Sequence, residues 1–359
     1  MGLGRFFIEL TNFFTIYRWN NRPAVIKFTE ADNAFHSSVM SLLFFQNLSK
    51  NEIIKIIHNR IMHELPKLIL SDVSLEVKDK IKEINKQILL SLTEESYKDL
   101  KIHFDKEFSE RFFVNHEFDS DVSNAVKLIT LFVSKKEVDL NSRIFSEYYS
   151  TPKKDIEDKI LNTKSSYKGY IENIQESILN VTIRMNSMTR WNKNHRHIKN
   201  TVSSHSFYVL IIAYILALYN NENENTIYDI ISASILHDLP EAFTGDVITP
   251  TKRKVKGLEN IISDIEKDFL ITWKNSNENI SDFVKKHEKH ILNPFDEVYG
   301  KYVRTADLLA ALNECAIEII TGNQNDTFRK AFFDIKKELK KISPIDISDI
   351  LDEIEYNTF

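Results

Sequence analysis

The sequence predicts an all-α protein, and three observations support that class. Its 359 residues include only 7 Gly and 7 Pro, too few for the glycine-rich loops and frequent turns of α/β and all-β folds. Apolar residues make up 42% of the chain and gather in long runs with helical spacing. The length exceeds that of a usual single domain, so we expect two domains, over residues 1–150 and 151–359.

Composition and charge narrow the functional classes. The net charge of −5 gives no broad basic field, so nucleic acid is not an expected partner. Cys315 is the one cysteine, which argues against a disulfide framework and a cysteine-based zinc site. We see no apolar run of the about 18 residues that a membrane span needs, and no cleavable leader in Met1–Leu10. We therefore expect a cytoplasmic protein without a membrane partner.

The chain divides near its midpoint. Residues 148–155 combine a proline with small polar and charged residues, which predicts a helix stop and restart. Residues 155–180 carry isoleucines at helical spacing and predict an amphipathic helix that packs the two halves together. A polar loop at 220–225 then separates two strongly apolar runs, 207–218 and 227–236.

Metal-binding residue types stand at the ends of the apolar runs. His205 precedes the first run, His237 and Asp238 follow the second, and Asp307 opens a third. Imidazole and carboxylate ligands together suit Mn, Fe, Co, Zn or Mg. Residues of these types, carried by three separate helices, predict a four-ligand metal cup with open positions for water and a phosphate oxygen.

This ordered ligand set resembles that of the HD-domain metal-dependent phosphohydrolases. Three further elements resemble the bacterial 5′-deoxynucleotidase branch of that family: the pair Arg190–Trp191, Glu241 four positions after the histidine, and Asp246 in a Thr-Gly-Asp sequence. The resemblance spans roughly residues 185–325. One departure is Ser204, which stands before the first histidine where the family often has Glu.

The resemblance implies a role for each element. A divalent ion in the cup, of Mn, Co, Mg, Fe or Zn, would polarise the 5′ phosphoester of a deoxynucleotide substrate. Glu241 would orient or deprotonate the attacking water. Asp246, which follows Gly245, would hold that water or protonate the leaving 5′ oxygen. Arg190 would bind the phosphate, and Trp191 would close over the sugar.

Two substrate classes stay open, because the same 5′ ester bond is cleaved in deoxynucleoside monophosphates and triphosphates. The motif resembles the monophosphatase branch. The basic residues Lys252, Arg253, Lys254 and Lys256 just after the motif leave a triphosphohydrolase as a serious variant. Alternatives are an inactive nucleotide sensor or scaffold, against which the intact ligand set argues, and a cyclic-nucleotide phosphodiesterase, which the Arg-Trp element does not support.

The first half repeats the motif order of the second. The simplest explanation is two HD-like helical bundles in tandem. Because related domains often dimerise, the tandem could mimic a dimer within one chain, and a homo-oligomer also stays open. The sequence pairs Arg18–Trp19 with Arg190–Trp191, His36 with His205, His63 with His237, and Val126 with Asp307.

The first copy lacks essential metal chemistry. Val126 replaces a carboxylate ligand, Glu64 replaces the aspartate of the His-Asp pair, and Lys67 replaces the catalytic-type glutamate. An ammonium at that position repels a metal ion. Arg18, Trp19 and Lys67 could still hold an anionic nucleotide, with the cations on phosphate and the indole stacked on a base or sugar. We therefore expect a pseudo-site that is either structural or a pocket for a nucleotide effector.

Overall fold

The predicted all-α class is confirmed. The structure is a computed structural model, and it describes residues 2–71, 73, 75–245 and 254–359. Within those ranges the chain forms helices and two isolated β-bridges, Tyr17–Thr29 and Thr189–Thr201. The chain begins with α1, Leu3–Leu10, and a 3₁₀ turn, Thr11–Phe14. The described α-helices that follow are α2 Glu30–Phe44, α3 Lys50–Glu64, α4 Lys67–Leu70, α5 Leu75–Lys101, α6 Lys106–Phe112, α7 Ser120–Ser142, α8 Ser146–Asn162, α9 Lys168–Ser187, α10 Val202–Tyr219, α11 Glu224–Leu236, α12 Glu241–Thr244, α13 Leu258–Lys274, α14 Glu278–Leu292, α15 Glu297–Ile320, α16 Asp326–Ile342 and α17 Ser348–Thr358.

Local side-chain chemistry sets where the site helices begin. Thr29 before α2, Ser49 before α3 and Thr201 before α10 each accept a hydrogen bond from the backbone N–H three residues later. In each case the side chain at that third position returns to the N-cap backbone, which completes a capping box. These caps fix the first turns of α2 and α10.

Helix α10 is the central core helix. Its 18 residues, Val202–Tyr219, have a mean hydropathy of 1.7, and 89% of them are buried within the protein. By length and composition it could cross a membrane, so the expectation that no apolar run is long enough was wrong. Burial of this degree is typical of a core helix. It packs on α2, α9, α11 and α15.

The midpoint of the chain differs from the prediction. Helix α8 runs through Pro152 without a break, so the predicted helix stop is wrong and the boundary at 150/151 falls inside a helix. Pro152 leaves the carbonyl of Tyr148 without its helical donor, and Arg22 Nε donates to that carbonyl at 2.8 Å. The single helix predicted over 155–180 is two helices, α8 and α9. Helix α9 contacts α2, α7, α10 and α12, and thereby packs on both halves.

The first helix lies against the second half. Helix α1 contacts α15 and α17, and the Gly4 backbone N–H donates to Glu353 Oε2 at 2.9 Å. A Cβ at Gly4 would approach the Ile350 carbonyl oxygen to 2.6 Å, so this close packing needs glycine. One cluster of buried apolar side chains accordingly runs through both halves.

Candidate active site

Helices α10 and α15 bring two of the predicted ligands together. His205, on the first turn of α10, is completely buried. Its Nδ1 lies 2.8 Å from Glu314 Oε1, and its Nε2 lies 3.2 Å from Asp307 Oδ1. Asp307 and Glu314 are two helical turns apart on α15 and therefore share a face. The imidazole is held between their carboxylates.

His237 and Asp238 follow directly at the end of α11. His237 Nδ1 donates to the Ser234 carbonyl at 2.9 Å, which leaves Nε2 as the ligand-type nitrogen. This Nε2 lies 3.2 Å from Asp238 Oδ2, and beyond this contact neither buried atom has a hydrogen-bond partner among the described residues. Donor atoms of His205, His237 and Asp238 all lie within 4.8 Å of one another. A divalent ion would satisfy such a set of buried donors.

Asp307 stands beside that group of three. Its Oδ1 faces His205, and its Oδ2 lies 3.0 Å from Arg304 Nη1. The fourth predicted ligand therefore lies next to His205, held by an imidazole and a guanidinium. Arg304 also lies 5.3 Å from the ring centroid of Phe295, and that ring is 6.2 Å from the ring of His237.

The charges of the centre follow from burial and from these pairings. Burial and Arg190 lower the pKa of His205, but Glu314 and Asp307 outweigh them and raise it to about 9. Burial raises the pKa of Asp307, but the contact with His205 outweighs it and holds that pKa well below its usual range. Without metal, His205 is thus an imidazolium between carboxylates. Metal binding at Nε2 would release its proton.

Glu314 is a candidate functional residue that the sequence analysis missed. It is completely buried, and its Oε2 accepts from Trp191 Nε1 at 2.6 Å and lies 3.8 Å from Arg190 Nε. Through Oε1 it orients His205 so that Nε2 faces the other ligands. A signal was present: a glutamate two helical turns after Asp307 on a predicted helix lies on the same face.

The structure also brings the Arg-Trp pair to the centre. Trp191 has φ 56°, a left-handed conformation that is costly for a bulky residue. Its hydrogen bond to Glu314 and its packing 5.7 Å from the ring of Phe328 hold it there. Burial raises the pKa of Glu314 and of Asp238, but Arg190 outweighs it at Glu314, and His237 together with Arg190 outweighs it at Asp238. Arg190 is therefore a cation close to a predicted ligand and to the carboxylate that holds His205.

Glu241 follows the His-Asp pair by one tight turn. Its backbone N–H donates to the Asp238 carbonyl at 3.0 Å, and its Oε2 is buried. It begins the short helix α12, which ends at Gly245 with φ 80°, a conformation that favours glycine. Asp246 and residues 252–253 lie outside the described residues, so their proposed roles stay predictions.

The first half reproduces the frame of this site. Trp19 has φ 55°, and its Nε1 donates to Glu137 Oε2 at 2.8 Å, as Trp191 does to Glu314. Arg18 Nε lies 2.9 Å from the same Glu137 oxygen. The two β-bridges, one in each half, sit at matching places beside these Arg-Trp pairs.

The shared frame corrects the pairing of His36 with His205. Counted from the N-caps Thr29 and Thr201, the fourth helical residue is Asn33 in α2 and His205 in α10. Asn33 donates to Glu137 Oε1 at 2.8 Å, as His205 does to the corresponding glutamate. His36 is completely buried and has no hydrogen-bond partner within the part of the chain that the structure describes, and burial lowers its pKa to about 3. It is an uncharged core histidine.

A second pairing is corrected in the same way. Glu137 and Glu314 accept from the two equivalent tryptophans. Counting seven residues back from each gives Thr130 and Asp307. Thr130, rather than Val126, therefore stands at the ligand position, and the carboxylate is absent from it as expected.

Arg60 fills the centre of the first half. Its Nη2 donates to Asn33 Oδ1 at 3.2 Å and to Glu64 Oε1, and its Nη1 donates to Thr130 Oγ1 at 3.4 Å. Those three partners stand at the positions of three predicted ligands in the second half. His63, the match of the remaining ligand, has a 64% exposed side chain. A guanidinium thus lies where the second half would hold a metal ion.

Two of the residues predicted to bind a nucleotide effector, Arg18 and Lys67, form ion pairs with buried carboxylates of the first half. Lys67 Nζ lies 2.7 Å from Glu30 Oε2 and 2.8 Å from Glu64 Oε2, and Arg18 Nη1 lies 2.9 Å from Glu30 Oε2. Burial raises the pKa of Glu30, but Arg18 and Lys67 outweigh it and bring the pKa to about 2. We call this group the ion-pair cluster; its three carboxylates and three cations are Glu30, Glu64, Glu137, Arg18, Arg60 and Lys67.

Comparison with known proteins identifies the second half. Residues 177–357 match the family model described as YfbR-like 5′-deoxynucleotidase. The chain belongs to this family. The resemblance seen in the motifs is thereby confirmed.

The matches to individual relatives cover most of the length of each relative. A 5′-deoxynucleotidase of Shewanella oneidensis is 29% identical over 153 residues, 41% of this chain and 77% of that protein. One from Photobacterium profundum is 29% identical over 173 residues, 44% of this chain and 79% of that protein. YfbR of Escherichia coli O127:H6 is 25% identical over 173 residues, with coverages of 45% and 83%. Among solved structures, an HD-domain phosphohydrolase from Listeria innocua has a TM-score of 0.41 at 18% identity, covering 52% of this chain and 92% of that one.

Proposed function

We propose that the second half is a metal-dependent phosphohydrolase that cleaves the 5′ phosphoester of deoxynucleotides. The observation that carries this proposal is the grouping of ligand-type atoms of His205, His237 and Asp238 within 4.8 Å of one another. Among the described residues, the buried His237 Nε2 and Asp238 Oδ2 have no hydrogen-bond partner beyond their mutual contact. Asp307 would complete the ligand set. Membership in the YfbR-like 5′-deoxynucleotidase family supports the substrate class. The ion would be Mn, Co, Mg, Fe or Zn, all of which accept such nitrogen and oxygen ligands.

The side chains around the cup divide the reaction between them. When bound, the ion would supply Lewis-acid activation of water and of a phosphoryl oxygen. Glu241 takes a proton from the attacking water, whose oxygen bonds to phosphorus as the bond from phosphorus to the 5′ oxygen breaks. The leaving 5′ oxygen takes up a proton, for which Asp246 is the proposed donor. Arg190 binds the phosphoryl oxygens, and Trp191 forms the wall beside the sugar.

Between the two substrate classes we propose the monophosphates, with release of inorganic phosphate. The similar curated proteins are named 5′-deoxynucleotidases. A triphosphohydrolase that cleaves the same bond is the second candidate, favoured by the exposed cations Lys254 and Lys256 shortly after α12. The intact ligand set supports an enzyme over a nucleotide sensor or scaffold. The Arg190–Trp191 element favours a deoxynucleotide phosphohydrolase over a cyclic-nucleotide phosphodiesterase, which would need the same ligands.

A substrate screen with product identification tests the function. The purified chain is incubated with Mn²⁺, Co²⁺ or Mg²⁺ and each deoxynucleoside mono- and triphosphate, with Asp238→Ala as the metal-dead control. We expect phosphate from monophosphates in wild type and none in the control. Triphosphate among the products would replace the monophosphatase with the second candidate. A metal-loaded chain that hydrolyses no nucleotide would contradict the proposed function.

For the first half we propose a structural role rather than a role as an effector site. Lys67 and Arg18 are bound to buried carboxylates, and Trp19 is bound to Glu137, so a phosphate would compete with charges already in place. An effector nucleotide stays a prediction. Equilibrium binding of nucleotides to Asp238→Ala tests it, and binding that is lost in Arg18→Ala would restore the effector hypothesis. The cytoplasmic location and the homo-oligomer likewise stay predictions.

A further inference from the structure

The N-termini of α2 and α10 meet at one buried carboxylate, Asp32. Its Oδ2 accepts from the backbone N–H and the hydroxyl of Thr29 at 2.7 and 2.8 Å, which closes the cap of its own helix. Its Oδ1 accepts from Thr201 Oγ1 at 2.5 Å and from Ser203 Oγ at 2.6 Å, both at the start of α10. Asp32 is completely buried. One carboxylate of the first half therefore binds the start of the helix that carries His205.

Helix α10 has no such carboxylate of its own. Asp32 is the third residue of α2, whereas the third residue of α10 is Ser204, and the first turn of α10 contains no acidic residue. A helix N-terminus presents unsatisfied N–H groups and a partial positive charge, which an anion stabilises. Asp32 therefore serves two helix ends at once.

This contact bears on the geometry of the proposed metal cup. His205 is the next residue after Ser204. For a metal to bind well, the position of its ring relative to Asp307 and Asp238 must be held to within a few tenths of an ångström. We propose that Asp32 is a positioning residue for the metal centre: through Thr201 and Ser203 it fixes the first turn of α10. This inference rests on the metal site proposed above.

Metal affinity of the folded protein tests the inference. In Asp32→Asn we expect the Kd for Mn²⁺, measured by equilibrium dialysis, to rise about tenfold or more, the usual loss when a group that orients a ligand is removed. The matched control is Glu52→Gln. Glu52 is the exposed third residue of α3 and closes a capping box with Ser49 alone, so this variant should bind Mn²⁺ as wild type does.

A second variant, which moves the carboxylate from α2 to α10, tests the inference even if Asp32→Asn does not fold. The double variant Asp32→Ser, Ser204→Asp exchanges the third residues of α2 and α10, and should recover most of the Mn²⁺ affinity because the carboxylate again lies at the start of α10. If Asp32→Asn melts earlier but binds Mn²⁺ as tightly as wild type, Asp32 is only a structural cap and the inference fails. If Asp32→Asn does not fold, a folded double variant with near-wild-type affinity supports the inference, and one that is impaired or unfolded overturns it. Wild-type protein that binds no Mn²⁺ would instead contradict the metal centre itself.

Discussion

The two halves differ at the centre of their similar Arg-Trp-Glu frames. In the first half, Arg60 contacts Asn33, Glu64 and Thr130. In the second half, the residue at the position of Arg60, three before the histidine, is Ser234, whose buried hydroxyl has no hydrogen-bond partner among the described residues. The long side chain occupies the centre of one half, and the short one leaves the centre of the other to its ligands.

The two halves balance their buried carboxylates in different ways. The ion-pair cluster is internally neutral, because each buried carboxylate has a protein cation. Around the cup, the carboxylates of Asp238, Asp307 and Glu314 lie near Arg190, Arg304 and the His205 imidazolium. A metal ion bound at His205 would displace the imidazolium proton and would then pair with these carboxylates in its place. A protein cation stabilises a fold permanently, whereas a bound divalent ion also offers open positions for substrate.

The largest effect on metal binding should come from placing an arginine in the second half at the position that Arg60 occupies in the first. Ser234→Arg should place a guanidinium among the ligands and abolish both metal binding and hydrolysis, while the helical circular dichroism persists. Ser234→Ala is the control and should retain both. Full metal content in Ser234→Arg would show that Arg60 does not mark the metal position.

The next effect separates the chemistry from metal binding. Glu241→Gln should keep the metal and slow turnover by about a hundredfold or more, the usual loss for an acid–base group. Steady-state kinetics together with metal analysis would check this. Metal lost in proportion to activity would make Glu241 a ligand rather than a base.

Glu314→Gln should have a smaller effect, through the orientation of His205. We expect metal affinity to fall by about tenfold, because the amide cannot match the carboxylate as an acceptor for both the imidazole and Trp191. Glu137→Gln, at the equivalent position of the first half, should leave metal affinity unchanged. Equal losses in the two variants would contradict the different roles assigned to the two halves.

Changes in the ion-pair cluster should affect stability alone. Arg60→Ala leaves Glu64 with fewer partners and should lower the free energy of unfolding by about 3 kcal/mol, as when one member of a buried pair is removed. The kcat of the folded enzyme should not change. Denaturant unfolding and kinetics below the transition would measure both quantities, and a lost kcat in fully folded protein would contradict a purely structural role.

The sequence alone predicted the helical class and the set His205, His237, Asp238 and Asp307, because chemically distinct residues recur at helix ends. It misplaced two pairs of the repeats, because the pairing followed short local matches such as His36–Ser37 with His205–Ser206. The shift from His36 to Asn33 is three residues. A displacement of about one turn keeps the same helical face, so hydrophobic periodicity cannot detect it.

Two other differences have tertiary causes. Pro152 predicted a helix stop, but Arg22, distant in sequence, satisfies the carbonyl that the proline frees. The spacing of Glu314 from Asp307 places it on the same helical face but does not reveal its role, which depends on Trp191 and His205, more than a hundred positions earlier in the chain. Such contacts arise only once α10 and α15 pack together.

Metal stoichiometry tests the contrast between the halves most directly. Mn²⁺ content per chain is measured by elemental analysis after dialysis, for wild type, Asp238→Ala and the equivalent first-half variant Glu64→Ala. One ion per chain in wild type, none in Asp238→Ala and one in Glu64→Ala is the expected result. Two ions in wild type, or an ion that is lost in Glu64→Ala and kept in Asp238→Ala, would contradict a metal cup in the second half and an arginine-filled centre in the first.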